Sequence, residues 1–144
     1  MRSSRNWIVS TYPRYVERHL NQRAHHLRRQ GFQSHHILPL SFHQHPVIKS
    51  SNFDIRSLSN IVFLPTPRIA NMCPIRTIHC GRHNRTYDLY WRNHLDEIAE
   101  MSLNSADTCR EIELRIRSMR DRLMLGAIAL NVWSRDDNGY ATKR

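Results

Sequence analysis

Residues 34–42 read SHHILPLSF, and the order of classes in this stretch (two histidines, two apolar residues, a proline) decides how the middle of the chain is built. The apolar piece around His36 to Leu38 has strand length and is closed by Pro39, which cannot donate to a ladder. Neighbouring strand residues face opposite sides. His35 and His36 therefore serve one site only through a twist or bulge; otherwise each has its own role. A second apolar run, Ile61 to Leu64, lies in LSNIVFLP at residues 58–65 and also reads as a short strand. From Gly31 to about Arg76 no helical period is present. The connection from Pro39 to Ser59 exceeds an ordinary hairpin, and long ordered loops are often functional.

Helical periods flank this middle segment. Upstream, residues 12–30 read as a helix with Pro13 in the first turn, Gly31 beyond the end, and Val16, Leu20, Ala24 and Leu27 on one stripe. Arginines occupy its other faces, suited to a phosphate backbone or to solvent. Downstream, a helix is expected from His79–Asn84 to about Met101, with Tyr87, Trp91, Leu95 and Ile98 on one face. A C-terminal helix is expected over 105–133 from a cap at Ser105, with Ile112, Ile116, Met119 and Leu123 repeating at helical spacing. The polar end, SRDDNGYATKR, reads as frayed.

At 144 residues and 40% hydrophobic composition, the chain supports one modest core and so one domain over 1–144. The longest mostly apolar run, Leu123 to Trp133, is too short for a membrane span, and the start, MRSSRNWIVSTYP, lacks the apolar region of a Sec-type signal peptide. Cys73, Cys80 and Cys109 lack paired ligand spacing, which argues against a disulfide framework or a cysteine zinc site and for free thiols. The formal charge is +10, and residues 95–144, with eight basic and nine acidic groups, contribute none of the excess. Twenty of the 22 basic residues are arginine, whose planar fork suits phosphate oxygens, so a nucleic acid is the expected partner. An acidic protein, or no polyanion at all, is the alternative.

The ten histidines are clustered. His25-His26 lie within the first helix, about 100° apart, and read as surface. His79 and His83 are four apart, a spacing that stacks two imidazoles on one helix face. Gly81 between them costs about 1 kcal/mol in a helix interior, so either the helix starts here or the backbone needs freedom. With His35-His36 these suggest a divalent site of three imidazoles with open positions, which suits catalysis better than a closed structural site.

In order, SHHILPLSF, LSNIVFLP and HCGRHNRTYDLYWRNHL (residues 79–95) resemble the AHH group of the HNH/endonuclease VII nuclease superfamily, over about residues 33–100. Ser34 stands where the group has alanine. The spelling AHH itself occurs at Ala24–His26, on a predicted helix and without the following proline, and is not taken as the motif. The resemblance implies an α+β, mainly helical fold: a ββα-metal (HNH, His-Me finger) core over 33–101 flanked by N-terminal and C-terminal helices. It also implies His36 as general base, Asn60 bracing the loop that carries it, and His35, His79 and His83 as ligands of one divalent ion (Mg, Mn, Zn or Ni). Arg76, Arg82 and Arg85 flank the ligand pair as candidate phosphate contacts. The implied activity is metal-dependent hydrolysis of DNA, with RNA possible. The implied context is a bacterial toxin domain, delivered by a secretion system to the cytoplasm of a target bacterium and paired with an immunity protein. A ribonuclease toxin and a non-catalytic nucleic-acid-binding module with a structural zinc are the alternatives.

Overall fold

The computed structural model describes residues 24–143. Most of the predicted 12–30 helix lies outside the described residues; within them, residues 24–30 are helical (α1). The next elements are strand β1 (Phe32–His36), a 3-10 turn at Leu40–Gln44, helix α2 (Pro46–Ser51), a 3-10 turn at Leu58–Asn60, and strand β2 (Ile61–Pro65). After them come helices α3 (Arg85–Glu100) and α4 (Ser105–Met124) and strands β3 (Trp133–Arg135) and β4 (Ala141–Lys143). The fold is α+β, about half helical, with two small sheets.

β1 and β2 pair antiparallel, with His35 opposite Val62 and His36 opposite Ile61. The strand lies earlier than the apolar residues suggest, because Ile37 and Leu38 are buried in the bend after it. The Pro39–Ser59 connection is not an open loop. Pro46 sits in the first turn of α2, where its missing N–H costs nothing, and His45 Nδ1 accepts the Val47 N–H at 3.2 Å. The other nitrogen, Nε2, meets Asp96 Oδ1 at 3.0 Å, so His45 ties α2 to α3.

α3 starts later than its period implies. Asn84 caps it, accepting the Tyr87 N–H at 2.8 Å. His79 and His83 are therefore in the loop before the helix, and Gly81 has φ of +69°, a conformation that favours glycine. Tyr87, Trp91, Leu95 and Ile98 of α3 pack in one core with Ile112, Ile116, Met119 and Leu123 of α4. Trp91 and Leu95 are fully buried, each contributing about 1.5–3 kcal/mol of apolar burial. α4 is capped by Asn104 instead of Ser105 and ends at Met124, well short of residue 133. The chain turns at Gly126, and the polar end forms the β3–β4 hairpin instead of fraying. Among the described residues no helix is long and apolar enough to cross a membrane.

Candidate functional site

Strand alternation puts Gln33 and His35 on one face of β1 and leaves His36 on the other. His35 is 1% exposed, the deepest histidine of the site. The loop before α3 lies along the end of β2, where the His79 N–H donates to the Pro65 carbonyl at 2.9 Å. His79 and His83 thereby meet His35: one nitrogen from each ring lies within 4.8 Å of the other two, and the ring centroids of His35 and His83 are 4.6 Å apart.

In His35 and His79 the ring's remaining nitrogen has a neighbour that fixes its role. The Tyr87 hydroxyl donates to the Ile37 carbonyl, which can only accept, so its oxygen accepts from His35 Nε2–H at 3.3 Å. His35 Nδ1 is left with the lone pair, and it faces His83 Nε2 at 3.1 Å. His79 Nδ1 lies 2.8 Å from Gln33 Oε1, an acceptor, which leaves Nε2 of His79 free to coordinate. His83 Nδ1 lies 4.0 Å from Asp88 Oδ1. Outer contacts of this kind orient imidazole ligands in metal sites.

The surroundings of all three rings favour the uncharged form. Burial, then the neighbouring His83, His79 and His36, hold His35 down at about 2. Burial, and after it His83, lowers His79; burial also lowers His83, against an opposing pull from Asp88. Ligands on a tetrahedral ion at 2.1 Å sit about 3.4 Å apart, so the 3.1 Å separation of the His35 and His83 nitrogens and the neutral donor set fit a divalent cation.

His36 is outside this trio and half-buried, and its side chain has no hydrogen-bond partner among the described residues. Burial, then the charge of Arg56, lowers its proton affinity. Asn60 is 0% exposed. Its Oδ1 accepts the Leu38 N–H at 2.7 Å, and its Nδ2 donates to the carbonyls of Leu38 at 2.9 Å and Ile55 at 2.8 Å. Its own carbonyl accepts the Ile37 N–H at 2.9 Å, so the chain just after His36 is held at both residues.

The three candidate phosphate arginines differ. Arg82 and Arg85 are exposed and carry no ion pair among the described residues. Arg76 donates to the Phe63 carbonyl at 3.1 Å and lies over the Phe32 ring, an arrangement that serves the scaffold. His43 bonds the Leu40 carbonyl, and His25 and His26 are exposed on α1. Sequence reasoning did not assign Gln33, Asp88 or Arg56 to the site and gave Tyr87 no role in it. Gln33 is legible as the residue two before His35 on the same strand face, and Tyr87 as the residue four after His83.

Comparison with known proteins places the chain in a family. A family model described as a nuclease family of the HNH/ENDO VII superfamily with conserved AHH matches residues 16–123. The chain belongs to this AHH nuclease family. No curated protein and no solved structure matches the chain. The AHH match spans β1, β2, the His79–His83 loop and the long helix α3, and ends at Leu123 in the last turn of α4.

Proposed function

We propose that this AHH-family chain is a metal-dependent endonuclease with a ββα-metal core, hydrolysing the phosphodiester bonds of DNA. The reading is carried by one observation: three imidazoles from β1 and a distant loop converge, and the strand residue that follows the first of them, His36, has a side chain without a hydrogen bond among the described residues. The family's histidine pair is taken as His35-His36, since His25 and His26 are exposed on a helix.

His35, His79 and His83 would hold a divalent cation, which would supply charge neutralisation to the phosphodiester. His36 is the general base. Burial and the Arg56 charge keep it neutral, and it takes the proton of the attacking water. Asn60 keeps His36 in place through the backbone that follows it. Tyr87 and Gln33 hold the His35 and His79 rings in their ligating tautomers. Arg82 and Arg85 grip phosphates. In the same reading the nuclease is a toxin domain of a bacterial effector, delivered by a secretion system into the cytoplasm of a target cell. The producing cell carries an immunity protein whose acidic face complements the +10 charge.

The test is incubation of the purified chain with supercoiled plasmid and with total RNA. Mg, Mn, Zn or Ni is supplied singly, with and without EDTA, beside His36→Ala and the His79→Ala/His83→Ala double variant. Plasmid cleavage lost with EDTA and with either variant is expected. Undiminished cleavage by His36→Ala removes it as the base, cleavage that resists EDTA removes the metal, and cleavage of RNA alone makes the chain a ribonuclease.

A further inference from the structure

We propose that residues 124–143, which lie beyond the family match, are the cradle that fixes the His79–His83 loop, with Arg135 as its central positioning residue. The proposal rests on the reading of His79 and His83 as metal ligands.

The two histidines are in irregular chain, and a loop does not by itself hold two ring nitrogens in place. Within the His79–His83 loop itself, the His79 N–H bond to Pro65 is the backbone anchor to a strand. The remaining anchors lie on either side of the pair, and they lead to the C-terminal end. Before the pair, the Thr77 N–H donates to the Leu123 carbonyl at 2.9 Å, and the Thr77 hydroxyl to the Ile128 carbonyl at 2.6 Å. Asn131 Nδ2 donates to the Ile78 carbonyl at 3.3 Å. After the pair, the Asn84 N–H donates to the Leu130 carbonyl at 2.6 Å, and Asn84 Nδ2 to that of Ala129 at 3.1 Å. Residues 77, 78 and 84 are thus tied to one run of chain, 123–131.

Arg135 extends this hold to the approach of the loop. Nε and one Nη donate to the Arg76 carbonyl at 3.2 and 2.8 Å. The remaining donors reach the carbonyls of Ala70 and Gly139, both at 2.9 Å, and of Cys73. All five N–H groups of the guanidinium are used on main-chain oxygens, and Arg135 is in no ion pair among the described residues. Only a planar five-donor group fills such a cage; an ammonium has three donors and no plane. The contact is also close at Gly126, where an added Cβ would stand 2.2 Å from the Ile75 oxygen. A segment held only for general stability has no need to place its polar contacts around two histidines, whereas these contacts bracket them.

The experiment titrates Zn2+ into the full chain by calorimetry. It compares the wild type with Arg135→Ala, Arg135→Lys, Asn131→Ala and a control, Arg110→Ala, on the exposed face of α4. Thermal melting in EDTA is recorded in parallel. Arg135→Ala is expected to weaken Zn2+ binding about 10–100-fold, as loss of outer support does at other metal sites. Arg135→Lys should not rescue it, Asn131→Ala should give a smaller loss, and Arg110→Ala none. Side-chain NMR should show the His79 nitrogens, but not those of His43, losing their fixed tautomer. A lowered melting temperature with wild-type Zn2+ affinity in both Arg135→Ala and Asn131→Ala overturns the proposal and leaves the metal reading standing. A wild type that takes up no Zn2+ overturns both. If Arg135→Ala does not fold, Asn131→Ala, which removes two hydrogen bonds, the one donated to the Ile78 carbonyl and the one accepted from the Trp133 N–H at 2.8 Å, decides alone.

Discussion

Replacing Asn60 by alanine tests the link between the strand pair and the chain that follows His36. The substitution deletes three side-chain hydrogen bonds: the one accepted from the Leu38 N–H and the two donated to the Leu38 and Ile55 carbonyls. Each contributes about 1 kcal/mol net. Because Asn60 and Leu38 are both 0% exposed, water cannot take over, and stranding the Leu38 N–H adds about 1–2 kcal/mol. The expected loss is about 4 kcal/mol, much of the 5–15 kcal/mol typical of a domain. Urea unfolding followed by circular dichroism, in EDTA so that metal binding does not contribute, measures it. Asn60→Asp separates geometry from volume. The aspartate keeps an acceptor for Leu38 but turns an oxygen towards two carbonyls at 2.8 and 2.9 Å, so at neutral pH it should be no more stable than alanine. A loss below about 1 kcal/mol for Asn60→Ala would refute the bracing argument.

Other outcomes follow from the charges. His35 has its proton affinity lowered to about 2, against the ordinary 6.5 it regains on unfolding. Below pH 6.5 the unfolded chain takes a proton that the native site refuses, so native stability is intact above pH 6.5 and falls as pH drops. By pH 5 the loss from His35 is about 2 kcal/mol, and His79 and His83 add to it. Equal urea midpoints at pH 7.5 and pH 5 in EDTA would contradict this. Arg56 is exposed and its charge reaches His36, whereas Arg76 already bonds Phe63. In a His36→Ala background, Arg56→Ala should lower the slope of log affinity for DNA against log salt by about one, with Arg76→Ala leaving it unchanged; the reverse order would assign the phosphate contact to Arg76.

Much of the site was legible because its residues are chemically conspicuous. The strand pair follows from two apolar runs among prolines, and the family from three short stretches in order. The errors share a cause. His79, His83, Tyr87, Trp91 and Leu95 continue one period of four, so periodicity carries the helix back to His79, yet Asn84 caps it and Gly81 bends the chain before it. A cap is a single local bond, and a period is an average that passes over it. At the other end, polarity hid the β3–β4 hairpin, although Asn138-Gly139 is the dipeptide that tight hairpin turns favour. Arg135 could not be read at all. Its partners are backbone carbonyls left open by the tertiary fold, and no side-chain pattern encodes them.

Asn60 and Arg135 are alike in chemistry and separate in effect. Each turns its side-chain donors to main-chain carbonyls, and they share no hydrogen-bond partner. Asn60 braces the chain after His36, the proposed base; Arg135 braces the approach to His79 and His83, the proposed ligands. Damage at the first should therefore appear in turnover, and damage at the second in metal affinity. Below its melting temperature, Asn60→Ala should bind Zn2+ as the wild type does and cleave slowly even when saturated. Arg135→Ala should bind weakly and recover most of its rate when metal is raised. Their unfolding penalties should add within about 0.5 kcal/mol, as for sites without shared partners. If both variants lose metal affinity equally, the two braces act on one rigid unit, and the division of the site into a base strand and a ligand loop is wrong.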